Sequence, residues 1–331
     1  VSVEMRKVLI LDFWGLGDLV LASGAIRCLQ REGYEVGVLC KAISRELMEP
    51  YVEGARWHTY NVPWTVHRGK WHVWKWDWRG LWRVLREIRS ESYAASLSIR
   101  ADPREDFLPY LCGIRKVYGF KRWAWWPLIT REAKTGYQGH RVMRWHGLLE
   151  CFLERELPVN YCAPGLADGT RQEGVVLLHV GASAKVRRWP IERWRELIKL
   201  LRSYPGGRVE RIELITDLDG FGKELAEWID VMHEGLSLVE MVEVLGSCEL
   251  VVGNDSGPTH IAAAFGARTV TIFGPQLPEL FRPWGDRAEV VPGKSCKYKP
   301  CRDYCHYDEP KCIIGVTSEE VFDKVCKTLM P

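Results

Sequence analysis

The chain has 331 residues, 47% of them hydrophobic and 27% charged, the balance of a soluble globular protein long enough for two domains of about 150 residues. No apolar run approaches the ~18 residues that cross a bilayer, and the start runs straight into the strand-like Lys7-Val8-Leu9-Ile10-Leu11 rather than a signal peptide, so a cytoplasmic protein is expected. The net charge of +3 is unevenly placed: residues 1–160 hold 25 lysines and arginines against 18 acids, the remainder 21 against 25. The first half is therefore expected to face something anionic.

Strand-like and helix-like segments alternate, which predicts an α/β architecture. The pattern predicts strand Val8–Phe13, helix Leu19–Gln30 and strand Val36–Cys40, then helical spacing over Trp82–Ile88 and a strand over Ala95–Ile99. The loop-rich stretch from Asn160 to Gly169 precedes a second start: strand Val175–Val180, helix Ile191–Leu201, strand Arg211–Thr216, helices Phe221–Met232 and Leu238–Leu245, strand Leu250–Val252, helix Thr259–Phe265 and strand Thr269–Phe273. The expected division is residues 1–163, residues 164–317 with a cysteine-rich segment at 296–312, and a C-terminal helix over 318–331. Two similar α/β domains in tandem suggest a ligand cleft between them.

Three junctions could carry chemistry. Gly15-Leu16-Gly17-Asp18 follows the first strand and opens the first helix; Gly15 and Gly17 let backbone approach a ligand, while Asp18 is a helix cap or a carboxylate aimed at that ligand. The six residues between Gly17 and Gly24 rule out the dinucleotide fingerprint. His179-Val180-Gly181-Ala182-Ser183-Ala184-Lys185-Val186-Arg187 ends the first strand of the second half, and small residues followed by cations suit a diphosphate or form a solvated basic loop. Asn254-Asp255-Ser256-Gly257-Pro258-Thr259-His260 lies between a strand and a helix, whose N-terminal N–H groups can face an anion.

In order and spacing these three elements resemble glycosyltransferase family 9, the ADP-heptose heptosyltransferases of lipopolysaccharide core synthesis, over nearly the whole chain. The resemblance implies a GT-B fold, two Rossmann-like domains facing a central cleft, with acceptor on the first domain and nucleotide-sugar on the second. It gives Asp18 the role of catalytic base, with Gly15 and Gly17 on the acceptor side. On the donor side it assigns Gly181, Ala182 and Ser183 to a phosphate-contacting turn, and Arg187 to the place of a phosphate-binding lysine, with Lys185 beside it. Asp255 matches the carboxylate that holds the sugar hydroxyls, Ser256 and Gly257 match diphosphate contacts, and His260 lies one turn later as a ligand-side or a core histidine. Leu236 falls where an apolar side chain packs on adenine. Asp219 is the candidate for the ribose, in a segment without the family's glycine-rich form.

The implied reaction inverts the anomeric centre: transfer of heptose from ADP-heptose to a lipid-linked lipopolysaccharide inner-core acceptor, with no metal required for catalysis. A protein acceptor of the autotransporter type, or another nucleotide-sugar, is the alternative. Eleven cysteines include Cys296, Cys301, Cys305 and Cys312 within seventeen residues; four thiolates suit a structural zinc or iron, and free or disulfide-linked thiols are the other reading. Ten of the sixteen tryptophans lie between Trp57 and Trp126. Trp71, Trp74, Trp78, Leu81, Leu85 and Ile88 recur at helical spacing among Arg68, Lys70, Lys75, Arg79, Arg83, Arg86 and Arg89, with Gly80 weakening the helix. Such a stretch suits peripheral contact with the inner membrane or forms a buried aromatic core with a solvated face. No nucleic-acid module is recognisable, so no nucleic-acid partner is expected.

Overall fold

The computed structural model describes residues 6–65, 72–121, 127–133, 139–166, 170–204, 208–217, 219–301 and 304–330. The chain divides into two compact units, Val1–Pro164 and Gly165–Pro331.

The first unit is built from β1 (Lys7–Asp12), α1 (Leu16–Arg31), β2 (Glu35–Cys40), α2 (Ala42–Met48), β3 (Arg56–Thr59), α3 (Trp78–Glu91), β4 (Ala95–Ser98), α4 (Pro103–Leu111), β5 (Lys116–Gly119), β6 (Arg131–Glu132) and α5 (Arg141–Leu153). Its strands form one parallel sheet in the order β3-β2-β1-β4-β5-β6. Central β1 pairs with both neighbours, Val8 opposite Val36 and Ala95. Val8 to Leu11 are all buried, because a parallel strand covered on both faces needs a continuous apolar run rather than an alternating one. Helix α1 is buried around most of its circumference and packs so tightly that a Cβ on Gly24 would lie 2.0 Å from the Cys162 carbonyl oxygen.

Helix α3 begins at Trp78, because Asp77 caps it by accepting the Gly80 N–H at 2.8 Å. A Cβ at Gly80 would sit 2.1 Å from the Asp77 carboxylate, so this glycine permits the helix start instead of weakening the helix. Leu81, Val84, Leu85 and Ile88 face the core. Trp74 lies in a separate 3-10 turn over Val73–Lys75, so the helical spacing expected from Trp71 onward begins about two turns later, at Trp78; Arg68, Lys70 and Trp71 lie outside the described residues.

The second unit contains β7 (Gln172–His179), α6 (Ile191–Arg202), β8 (Arg211–Ile215), β9 (Val231–His233), α7 (Leu238–Ser247), β10 (Cys248–Asn254), α8 (Gly257–Ala264), β11 (Arg268–Ile272), α9 (Pro278–Phe281), β12 (Ala288–Val291), α10 (Lys311–Ile314) and α11 (Ser318–Leu329). Its parallel sheet runs β12-β11-β10-β7-β8-β9. The core joins Trp189 and Trp194, edge to face at 5.0 Å, to Val176, Leu178 and Leu214. The C-terminal helix is part of that core through Val321, Val325 and Leu329, and a Thr317–Glu320 capping box starts it.

One predicted element is different in kind. The helix expected over Phe221–Met232 is a 3-10 helix over Lys223–Trp228 followed by strand β9. Gly220 and Gly222 have φ of +81° and +103°, which breaks the helical path before it starts, and Asp230 accepts the Ile212 N–H at 2.7 Å to bring the chain alongside β8. Among the described residues no helix is long and apolar enough to cross a membrane.

Gly24→Ala is expected to destabilise the protein by about 1–3 kcal/mol, because the added methyl group must displace backbone. A thermal melt checks this, and an unchanged midpoint would contradict so close an approach.

Candidate active site

A parallel sheet brings every strand-to-helix junction to its carboxyl edge, and two such edges carry the residues singled out by sequence. In the first unit Gly15 caps α1 and Asp18 stands in the first helical turn. One carboxylate oxygen of Asp18 accepts the Gly15 N–H at 3.1 Å, and the other forms an ion pair with Arg141 Nε at 2.8 Å. Asp18 is thus both a helix-capping group and a partly accessible carboxylate. Gly15 is exposed, whereas Gly17 is buried.

Four side chains of this edge had no signal in the local sequence. Asp12, the last residue of β1, is buried and accepts the Trp14 N–H at 3.1 Å. Burial, then the charge on Asp18, pushes its pKa up to about 6, with Arg141 opposing. The Arg100 guanidinium lies over the Trp14 ring; burial lowers its pKa to about 10, and Glu105 offsets part of that. Glu105 is fully buried in the first turn of α4, and burial raises its pKa to about 8 against the pull of Arg100. Arg141 opens α5, far from Asp18 in sequence, and no motif marks it.

In the second unit, β7 ends at His179, the loop 180–184 follows, and a 3-10 turn carries Lys185 and Arg187. Buried Asn254, at the end of β10, clasps this loop: its amide donates to the Val180 carbonyl at 2.7 Å and its oxygen accepts the Trp189 N–H at 3.1 Å. Asp255 is buried and paired with Arg187 at 3.6 Å. Ser256 caps α8, and its hydroxyl lies 3.2 Å from the Asn254 carbonyl and 3.4 Å from His179 Nδ1. Gly257 is the first residue of the helix. Burial holds His179 neutral, its pKa pushed down to about 4 although Asp217 opposes this. His260 is buried within α8.

In the turn that carries Gly181, Ala182 and Ser183, the Ala182 N–H donates to Asp217 at 3.0 Å, and a Cβ on Gly181 would lie 2.9 Å from the same carboxyl group. Ser183 and Lys185 are exposed. Asp217 also receives Arg188 at 2.8 Å, and Arg188 reaches Asp219 at 2.7 Å. Asp219 is about half exposed, and its pKa is lowered by its bond to Arg188. Leu236 is half-buried outside the main core, just before the Ser237 cap of α7.

Cys301 and Cys312 are buried and Cys296 and Cys305 partly so, all as free thiols. Burial and then neighbouring thiols raise the pKa of Cys301 and Cys312. Cys305 instead accepts the Tyr307 N–H at 3.4 Å. Among the described residues no three His, Cys, Asp or Glu side chains are gathered as a metal cage.

With this geometry established, comparison places the chain. Residues 81–310 match the profile of Glycosyltransferase family 9 (heptosyltransferase). Lipopolysaccharide heptosyltransferase 1 of Pseudomonas aeruginosa is 26% identical over 280 residues, 78% of this chain and 77% of the relative. The enzyme of the same name from Campylobacter coli is 30% identical over 113 residues, 32% of this chain, and the alignment spans about a third of that relative's length. The solved structure of E. coli heptosyltransferase WaaC with ADP-2-deoxy-2-fluoro heptose superposes with a TM-score of 0.74 at 18% identity, covering 97% of this chain and 99% of that one, so the two-domain fold is shared. The chain belongs to glycosyltransferase family 9, the heptosyltransferases.

Proposed function

We propose that this protein is an inverting heptosyltransferase that takes ADP-heptose as donor and a lipid-linked lipopolysaccharide inner-core oligosaccharide as acceptor, working from the cytoplasm. The observation that carries this reading is the buried Asp255 carboxylate paired with Arg187 at the N-terminus of α8. A carboxylate suited to sugar hydroxyls stands there beside a guanidinium and helix N–H groups suited to a diphosphate. The family profile and the Pseudomonas relative support it.

In this reaction Asp18 takes the proton of the acceptor hydroxyl as that oxygen attacks the anomeric carbon. The bond from the anomeric carbon to the diphosphate breaks as the new glycosidic bond forms, so the configuration inverts. ADP leaves with its charge met by Arg187, Lys185 and the N-terminal N–H groups of α8 near Ser256 and Gly257. Ser183 adds a hydroxyl to the diphosphate, while Gly181 and Ala182 shape the turn through Asp217. Asp219 receives the ribose and Leu236 packs on the adenine. Arg141 positions Asp18. Neutral His179 orients the Ser256 hydroxyl, and His260 fills the base of the cradle. No metal enters the chemistry. A structural zinc or iron on Cys296, Cys301, Cys305 and Cys312 is a separate proposal, because an ion would have to draw those thiols together; elemental analysis of protein purified without added metal decides it, and a content near zero removes it.

Asp18→Asn is expected to lower transfer by about 100-fold or more, while ADP-heptose still raises the melting temperature of the variant by ligand linkage. Retained transfer would remove Asp18 as base; stabilisation only by a UDP- or GDP-sugar would overturn the donor. A transfer assay with lipid-linked and protein acceptors separates the two acceptor classes.

Acid should weaken the cradle through His179. Its folded pKa lies below the ordinary value of 6.5, at about 4, so its contribution to stability is complete above pH 6.5 and is lost as pH falls toward 4. His179→Asn is expected to flatten that part of the stability profile in denaturant titrations between pH 7 and 4; an unchanged slope would show that His179 carries none of it.

A further inference from the structure

Helix α3 turns its apolar side inward and leaves an unusual outer side. With Leu81, Val84, Leu85 and Ile88 in the core, the helical repeat puts Trp78, Arg79, Trp82, Arg83, Arg86 and Arg89 on one continuous outer arc. Trp78 and Trp82 are 45% and 54% exposed, and Trp74, in the turn before the helix, is 71% exposed. Indole rings left this open forgo burial that the core could have given them. Trp78 is also anchored: Trp76 lies tilted against it with ring centroids 5.3 Å apart and against buried Trp64 at 5.7 Å, which roots this exposed indole in the core.

The charge on this arc is of one sign. The acids of the segment are all used on other sides: Asp77 caps the helix, Glu87 meets buried His58 at 2.7 Å, and Glu91 pairs with Lys7 and Arg56. Lys75, Arg79, Arg83, Arg86 and Arg89 are exposed and form no ion pair among the described residues. Exposed indoles interleaved with unpaired guanidinium groups match a surface that is apolar just beneath a layer of phosphates. A nucleic acid would match the charge, but single strands are held in a charged groove whose rings stack successive bases, whereas Trp78 and Trp82 lie along the outer face of one helix.

Topology gives the patch a direction. In the parallel sheet of the first unit α2, α3 and α4 all start from the carboxyl edge, the edge from which Asp18 also rises. Trp74 and Trp78 lie where the chain enters α3, and exposed Ile43 and Phe107 lie on α2 and α4.

We propose that the outer face of α3, with Trp74 before it, docks the protein peripherally on an anionic phospholipid bilayer, the indoles at headgroup depth and Arg79, Arg83, Arg86 and Arg89 on lipid phosphates. The indole end of this face adjoins the edge that carries Asp18, so a lipid-linked acceptor meets the first unit without leaving its membrane. The docking surface stands on exposure and charge alone and does not depend on the identity of the transferred sugar.

The test is co-sedimentation of the full-length protein with vesicles of phosphatidylcholine containing phosphatidylglycerol, against phosphatidylcholine alone. The protein is expected to pellet with the anionic vesicles, to release as salt rises, and to show indole quenching by brominated lipid. Arg79→Glu with Arg86→Glu should weaken partitioning by about twentyfold or more, and Trp74→Ser with Trp78→Ser and Trp82→Ser should remove both partitioning and quenching. Thermal melts equal to wild type show that these exposed positions leave the fold intact. The proposal fails if wild-type protein ignores anionic vesicles, if either variant partitions like wild type, if a single-stranded oligonucleotide binds this face in place of vesicles, or if the patch proves to join two copies of the chain that separate when the tryptophans are replaced.

Discussion

Parallel strands cannot be joined by a tight turn, and that constraint shapes both units. After each strand the chain must leave at the carboxyl edge and cross back to the other before the next parallel strand begins, most often through a helix. Capping residues, helix N-termini and the irregular loops between them collect at one edge, while the sheet interior can be uniformly apolar. Val8 to Leu11 and Val175 to Leu178 are buried without interruption, and polarity returns at Asp12, His179 and Asn254, the last residues of β1, β7 and β10. The chemistry-bearing groups are therefore consequences of strand direction before they are anything else.

At the edge of the first unit the cost of that arrangement is visible. Asp12, Asp18, Glu105, Arg100 and Arg141 bring ionisable groups into a region where burial disfavours every charge. Each shift is restrained by a neighbour of opposite sign, Arg141 against Asp12 and Arg100 against Glu105. Such networks seldom add net stability over apolar packing. What this one provides is fixed orientation: Asp18 is held at one oxygen by backbone and at the other by Arg141, so it keeps one position without being withdrawn from solvent.

What could be read from sequence divides along the range of the forces. The alternation of strand and helix, the three strand-to-helix junctions and most long elements were legible because each is written in consecutive residues. Capping of α3 by Asp77 is local too, but Gly80 was misjudged, since a helix interior and a helix first turn ask opposite things of a glycine. Strands β3, β5, β6, β9 and β12 have two to four residues, too short to show a period. Arg141 beside Asp18, Asp217 on the Ala182 N–H, and Asn254 across the β7 loop are pairings between distant segments, and nothing in either partner's neighbourhood announces the other. The tryptophan-rich segment was legible in composition but not in outcome: only the inward side of α3 decides which rings stay outside.

The Ala182 pairing also explains a choice of residue. Once Asp217 occupies the backbone donor of the turn, less of an anion's charge can be met by main-chain N–H groups there, and more must fall to side chains and to the start of α8. Arg187 already lies 3.6 Å from the Asp255 carboxylate. An ammonium is a single point of charge, and a contact with Asp255 would turn it from a phosphate. A guanidinium has five donors in a plane, so one edge can rest on the carboxylate while the other meets an oxyanion. A turn that gives its backbone donor to an internal acid thus stands beside a cation able to serve two anions at once.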